Sequence, residues 1–280
     1  MHIFKSILCW ALIIAPLAIV TSCVDEVDKE PTSPAPVQTC FLATDSSADG
    51  VVTLAYDTNN RVTNYSTAGF SSTLTYGGDS VIINVVTDTS TVREVFYKTG
   101  TNWQKSISTY TAPTNQFPGA TLVSVSTSIP TYTSGKVSSI TTNSNTVIKV
   151  GPIKTNLGNQ SETSTITYNS DGNIARISRK TGSVTKTYDF TYGSDEISSA
   201  NASLYESCLS EALPNAILPT ILKYITPFKN SITKLQGPDG SITFSNYKKD
   251  GNNNVTSYTM AGAGDLASNT GNVKSTFTCK

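Results

Sequence analysis

Hydrophobic and polar positions alternate with period two along most of the chain, in short segments broken by turn residues. Val51-Val52-Thr53-Leu54-Ala55-Tyr56 runs into Asp57-Thr58-Asn59-Asn60, then Arg61-Val62-Thr63-Asn64-Tyr65-Ser66. Ser72-Thr73-Leu74-Thr75-Tyr76 meets Gly77-Gly78-Asp79, and Ser164-Thr165-Ile166-Thr167-Tyr168 meets Asn169-Ser170-Asp171-Gly172. Ser241-Ile242-Thr243-Phe244-Ser245-Asn246-Tyr247 is followed by Lys248-Lys249-Asp250-Gly251-Asn252. β-Branched and aromatic residues fill the segments, while Asn, Asp and Gly supply the positive-φ corners, so each unit predicts a β-hairpin. Tyr56, Tyr76 and Tyr97 are spaced by 20 and 21 residues, and Tyr168 and Tyr192 by 24, two strands and two turns per unit. The pattern predicts an all-β, antiparallel up-and-down meander of about 14–18 strands. That is more than a twisted open sheet holds without curling, so a large barrel or half-barrel is expected.

Two stretches break the alternation. Residues 201–228 place Ile217, Leu218, Ile221, Leu222 and Ile225 at helical spacing between Pro214, Pro219 and Pro227, which predicts a helical insertion near the C-terminal third. It would plug the curved sheet, or act as a lid over an apolar cavity lined by Ile217, Leu218, Ile221 and Leu222. At the other end, residues 7–20 are apolar apart from Pro16 and follow Lys5. A run of that length is short for crossing about 30 Å of hydrocarbon, which takes about 20 residues, but suits a signal peptide.

The apolar run ends in Val20-Thr21-Ser22-Cys23, which resembles the lipobox of bacterial lipoproteins. The resemblance implies cleavage after Ser22 and acylation, with a chain such as palmitate, at Cys23; the rival reading is a secreted protein with an ordinary thiol there. Residues 23–38 hold an acidic run, then Pro31-Thr32-Ser33-Pro34-Ala35-Pro36, and read as a tether. The acidic cluster resembles a surface-export signal of Bacteroidota lipoproteins, and Asp79-Ser80-Val81 resembles an O-glycosylation signal of that phylum. The expected layout is leader 1–22, tether 23–38 and one β domain, 39–280, at the outer membrane and on the cell surface.

Composition narrows the chemistry. Without the leader, 20 Lys+Arg less Lys5 leaves 19 against 20 Asp+Glu, and His2, the single histidine, is gone. A near-neutral chain without a basic run has no footprint for nucleic acid. Without imidazole, Ser-His-Asp and Cys-His nucleophile systems and histidine metal sites are excluded. No cofactor is implied. Ser231-Ile232-Thr233-Lys234 with Lys98-Thr99-Gly100 and Lys180-Thr181-Gly182 matches penicillin-binding motifs in the wrong order. Asn169-Ser170-Asp171-Gly172-Asn173 lacks the twelfth-position Glu of a calcium loop. A carboxylate-pair hydrolase stays open, because that geometry is not local in sequence.

Exported cysteines form disulfides. Cys40 opens the first predicted strand and Cys279 closes the last, so a 40–279 bridge is favoured, with 40–208 as the alternative. Trp103, with Tyr97 and Tyr110 in the same hairpin region, is a candidate for stacking on sugar rings.

Tyr56-Asp57-Thr58-Asn59-Asn60-Arg61-Val62 and Tyr168-Asn169-Ser170-Asp171-Gly172-Asn173-Ile174 resemble tyrosine-aspartate (YD) repeat units. With the lipobox and the Pro/Thr tether, they resemble a family of Bacteroidota lipoproteins of unknown function with a porin-like fold. The resemblance implies a fold and no activity. A membrane barrel is not expected: strands such as 124–128 and 136–141 look too short and too polar for a lipid-facing wall. The sequence reads as an anchored, non-catalytic scaffold for a glycan or an envelope protein. The second reading is a carrier of apolar ligands with 201–228 as lid.

Overall fold

The computed structural model describes residues 40–47, 50–100, 102–114, 119–197, 212–213 and 229–279. They form sixteen strands: β1 (Cys40–Ser47), β2 (Gly50–Tyr56), β3 (Val62–Thr67), β4 (Phe70–Tyr76), β5 (Ser80–Thr87), β6 (Thr91–Thr99), β7 (Asn102–Pro113) and β8 (Thr121–Thr133), then β9 (Lys136–Val150), β10 (Ile153–Tyr168), β11 (Ile174–Thr181), β12 (Val184–Glu196), β13 (Asn230–Gln236), β14 (Gly240–Lys249), β15 (Val255–Gly264) and β16 (Gly271–Cys279). Each pairs antiparallel with the next, and β1 pairs with β16, so the sheet closes into a barrel and is not a half-barrel.

The helical insertion needs correcting. No helix is among the elements of the described residues, and β12 pairs directly with β13 across the segment, Phe190 opposite Leu235 and Tyr192 opposite Ile232. Of 201–228 only Ala212 and Leu213 are described, both fully buried in the apolar cluster; the rest, with Ile217, Leu218, Ile221 and Leu222, lies outside the described residues. Spacing suggested a helix because it took a curved sheet to need a cover. Here the closed sheet turns most of its apolar face inward, and β12 runs on to β13 as a neighbouring strand.

Two rims differ in kind. Odd strands start, and even strands end, at the rim that carries Cys40 and Cys279, called here the floor; the opposite rim is the mouth. Eight inward residues, one near the start of each odd strand, ring the floor: Leu42, Val62, Val81, Trp103, Val137, Ile174, Ile232 and Val255, none more than 3% exposed. The partner strands secure this ring. Tyr56, Tyr76, Tyr132, Tyr168, Tyr192 and Tyr247, at the ends of even strands, donate their hydroxyls to the carbonyls of Leu42, Val62, Trp103, Val137, Ile174 and Ile232 at 2.6–3.0 Å. Tyr97 does not join them; its ring lies under Lys105 Nζ at 4.9 Å.

Three floor turns repeat one design. In 57–61, 169–173 and 250–254 the first residue's amide donates to the fifth carbonyl, and its side-chain Oδ1 accepts the fifth residue's N–H at 2.9–3.0 Å. The fourth position is left-handed in all three, at Asn60 (φ 58°), Gly172 (φ 89°) and Asn253 (φ 60°). Asn and Gly tolerate that region, which explains the Asn/Gly turn chemistry read along the chain.

The seam between the first and last strands is locked covalently by a Cys40–Cys279 disulfide. At the mouth, β9 and β10 reach 15 and 16 residues and outrun β11, whose pairing with β10 starts only at Glu162–Thr181. Strand length was underestimated from the sequence, since β8 runs for 13 residues: its Ser/Thr alternation continues to pair where it ceased to look apolar.

Candidate functional site

Alternation assigns every strand residue to one of two walls. The inner wall is apolar over most of the circumference. Val52, Leu74, Ile83, Phe96, Ile140, Ile177, Phe190, Ile242, Tyr258 and Val273 are buried in one continuous cluster fed by every strand except β1 and β8. A round sixteen-strand barrel would enclose a lumen too wide for side chains to fill. At the level of this cluster the interior is lined by apolar side chains that bury one another. The outer wall is mostly polar, with Thr73, Arg93, Lys105, Thr165, Arg176, Lys234, Thr243 and Lys274 all exposed, although Val51, Val86, Val125 and Ile129 also face out and are exposed.

One sector of the inner wall departs from this rule. Cross-strand register aligns Ser106, Ser128, Thr142, Glu162 and Thr181 in one row from β7 to β11. Nearer the mouth it aligns Glu94, Ser108, Ser126, Ser144 and Gln160, and beyond these Tyr110, Ser124 and Thr146. Hydroxyl pairs bridge β8 and β9: Ser128–Thr142 at 2.9 Å, Ser126–Ser144 at 2.8 Å and Ser124–Thr146 at 3.1 Å. The innermost row is buried; Ser126, Ser144, Ser124 and Thr146 are half-buried and Gln160 is exposed, so the sector opens toward the mouth.

Two carboxyls bound it. Glu162 takes Arg179 Nε at 2.6 Å and the Thr181 hydroxyl at 3.0 Å on one oxygen, while its Oε1 is buried without a hydrogen-bond partner among the described residues. Glu94 is buried, and desolvation raises its pKa to about 8 against a hydrogen bond from Ser106. Its Oε1 is likewise without a partner, as is the Ser164 hydroxyl. Four strands separate the two glutamates, about 19 Å along the wall at 4.8 Å per strand, so on the sheet they are not neighbours. Elsewhere, Asp45 points inward beside the seam; burial raises its pKa to about 7, and Ser275 donates to it at 3.1 Å.

The aromatic candidates separate. Trp103 is fully buried, stacked on Phe96 with centroids 5.6 Å apart, and belongs to the floor ring. Tyr97 faces outward, whereas Tyr110 is half-buried on the inner wall at the edge of the hydroxyl sector. Sequence reading missed the sector because its residues, Ser and Thr, are also those that cover solvent faces. The available clue was β8, where Ser124, Ser126 and Ser128 alternate with Val123, Val125 and Ile129, and only the neighbouring strands tell which set faces in.

A closed antiparallel barrel with an even strand number is the porin-like class of fold, consistent with an outer-membrane location. A solved structure described as a porin-like protein from Bacteroides vulgatus ATCC 8482 matches with a TM-score of 0.53 at 10% identity, over 86% of this chain and 99% of that one. No family model matches the chain, and no curated protein does.

Proposed function

We propose that this chain is a lipid-anchored outer-membrane protein whose barrel stands in water and acts as a non-catalytic binding scaffold. The observation that carries the reading is the polarity of the two walls. A barrel immersed in lipid needs an outward apolar band about 25 Å tall, and Lys or Arg at its midplane costs about 2–4 kcal/mol each. The outer wall here sets Arg93, Lys105, Arg176, Lys234 and Lys274 among the exposed Val51, Val86, Val125 and Ile129, so charge interrupts the apolar surface on strands from β6 to β16. A wall of that kind needs a separate hold on the membrane, and Cys23, after an apolar leader, is suited to supply it. The tether would join the barrel at Cys40 on the floor rim, opposite the mouth. The acidic tether and the O-glycosylation-like Asp79-Ser80-Val81 favour the cell surface, and the YD-like turns favour the lipoprotein family they resemble.

The test is fractionation of wild type and Cys23→Ser in the cell of origin with a labelled fatty acid. Wild type is expected in the outer membrane with the label, and the variant is expected folded and unlabelled in the aqueous fraction. A Cys23→Ser protein that still needs detergent for extraction would show that the wall itself sits in lipid, and would overturn the proposal.

A further inference from the structure

We infer that the hydroxyl-lined sector of the inner wall, between β6 and β11, is a binding site for a neutral oligosaccharide. The inference rests on the scaffold reading above and names its ligand. On β8 the usual arrangement is inverted: Ser124, Ser126 and Ser128 face in, while Val125 and Ile129 face out at 39% and 49% exposure. Between the inward Leu122 and Tyr132 of this strand, positions that an apolar side chain could fill hold hydroxyls, which add little to apolar packing.

Pairing among themselves does not exhaust them. Two hydroxyls in a rung hold two protons and four lone pairs, and one hydrogen bond consumes one of each. Each of the Ser126–Ser144 and Ser124–Thr146 rungs therefore has a donor and acceptors to spare, on half-buried side chains facing the lumen. At the ends of the sector Glu94 Oε1 and Glu162 Oε1 are buried and unpaired, on residues 4% and 8% exposed. Buried polar atoms are almost always satisfied, so the carboxylate oxygen of Glu162 and the protonated carboxyl of Glu94, left open on one wall, mark a place where polar groups arrive.

The chemistry selects the class of ligand. Arg179 neutralises Glu162, and Glu94 holds its proton near neutral pH, so the sector presents little net charge. Its groups form a lattice of about 4.8 Å between strands and about 6.7 Å along them, the scale on which a chain of sugar rings repeats its hydroxyls. Tyr110, in the row with Ser124 and Thr146, sets an aromatic ring at the edge, where a pyranose face can rest. An acyl chain would strand these polar groups without partners, and an anion would meet no unpaired cation on this face.

Titration calorimetry tests it on the mature lipoprotein, held in a detergent without a sugar headgroup. The probes are maltohexaose, cellohexaose and xylohexaose, with palmitate as the apolar control. At least one saccharide is expected to bind, and Ser126→Val with Ser144→Val is expected to weaken it tenfold or more. Thr127→Val, on the outer face of the same strand, leaves binding unchanged, and circular dichroism melting reports that all three proteins are folded. Saccharide binding that survives the Ser126→Val/Ser144→Val change overturns the inference, and so does folded wild type that binds no saccharide. Either result leaves the anchoring proposal standing, since that one is judged by where the wall sits and not by what the lumen binds.

Discussion

Single residues do unusual work in this barrel where polar atoms meet its apolar interior. The six floor tyrosines are the clearest case: each ring packs against the apolar cluster while its hydroxyl reaches a backbone carbonyl one strand back. A bond of that kind contributes about 0.5–1.5 kcal/mol, and each also fixes the end of a strand against the ring. Asp45 and Glu94 work the other way. Burial raises them to about 7 and about 8 from ordinary values of 3.8 and 4.5. Between those limits the folded protein binds more protons than the unfolded chain, so stability falls as pH rises from about 4 to about 8. Urea midpoints measured across that window are expected to decline, and Asp45→Asn with Glu94→Gln is expected to flatten the decline. A midpoint that climbs with pH, or an unchanged slope in the double variant, would contradict these assignments. Neither carboxyl stands out in the sequence, because burial is set by the inward parity of a residue whose neighbours on other strands are remote in the chain.

Among elements, hairpins are local and were legible. Turn chemistry at 57–60 and 169–172, and the tyrosines before them, mark where strands stop, and the structure supplies the reason: the fourth turn residue is left-handed and the tyrosine locks the rim. Closure was legible only as one of two outcomes, barrel or half-barrel, because β1 and β16 meet across nearly the whole chain. The helical spacing of 201–228 misled because proline-separated apolar residues were weighed without the barrel that already buries its own face. The Cys40–Cys279 bridge lies at that closing seam, with a sequence separation of 239. On the chain-entropy model a loop of that size stabilises by about 5 kcal/mol. Cys40→Ser is expected to lower the unfolding free energy by up to that amount and to speed hydrogen exchange first in β1 and β16. Equal protection of the seam with and without the bridge would show that hydrogen bonding alone keeps the barrel closed.

At the scale of the whole molecule, a porin-like closed sheet carries most of its apolar side chains inside and its charged ones outside, with the β7–β11 sector as the exception. That reversal follows from the alternation along each strand, because a slip of one residue would exchange the walls. It separates fold from setting: the architecture is that of membrane barrels, while the proposal above sets the wall in water on the strength of its charged side chains. The hydroxyl sector and the floor ring then give the barrel two unlike ends, an apolar ring at the floor and hydroxyls toward the mouth. The most direct test of the wall's setting is fluorescence quenching at Thr165→Cys on the outer wall, in a Cys208→Ser background, with the lipoprotein held on liposomes. The account requires a probe there to be quenched by iodide in the water and untouched by nitroxides on the lipid chains. Strong quenching by the lipid-borne nitroxides, with protection from iodide, would place the wall in the bilayer and contradict it.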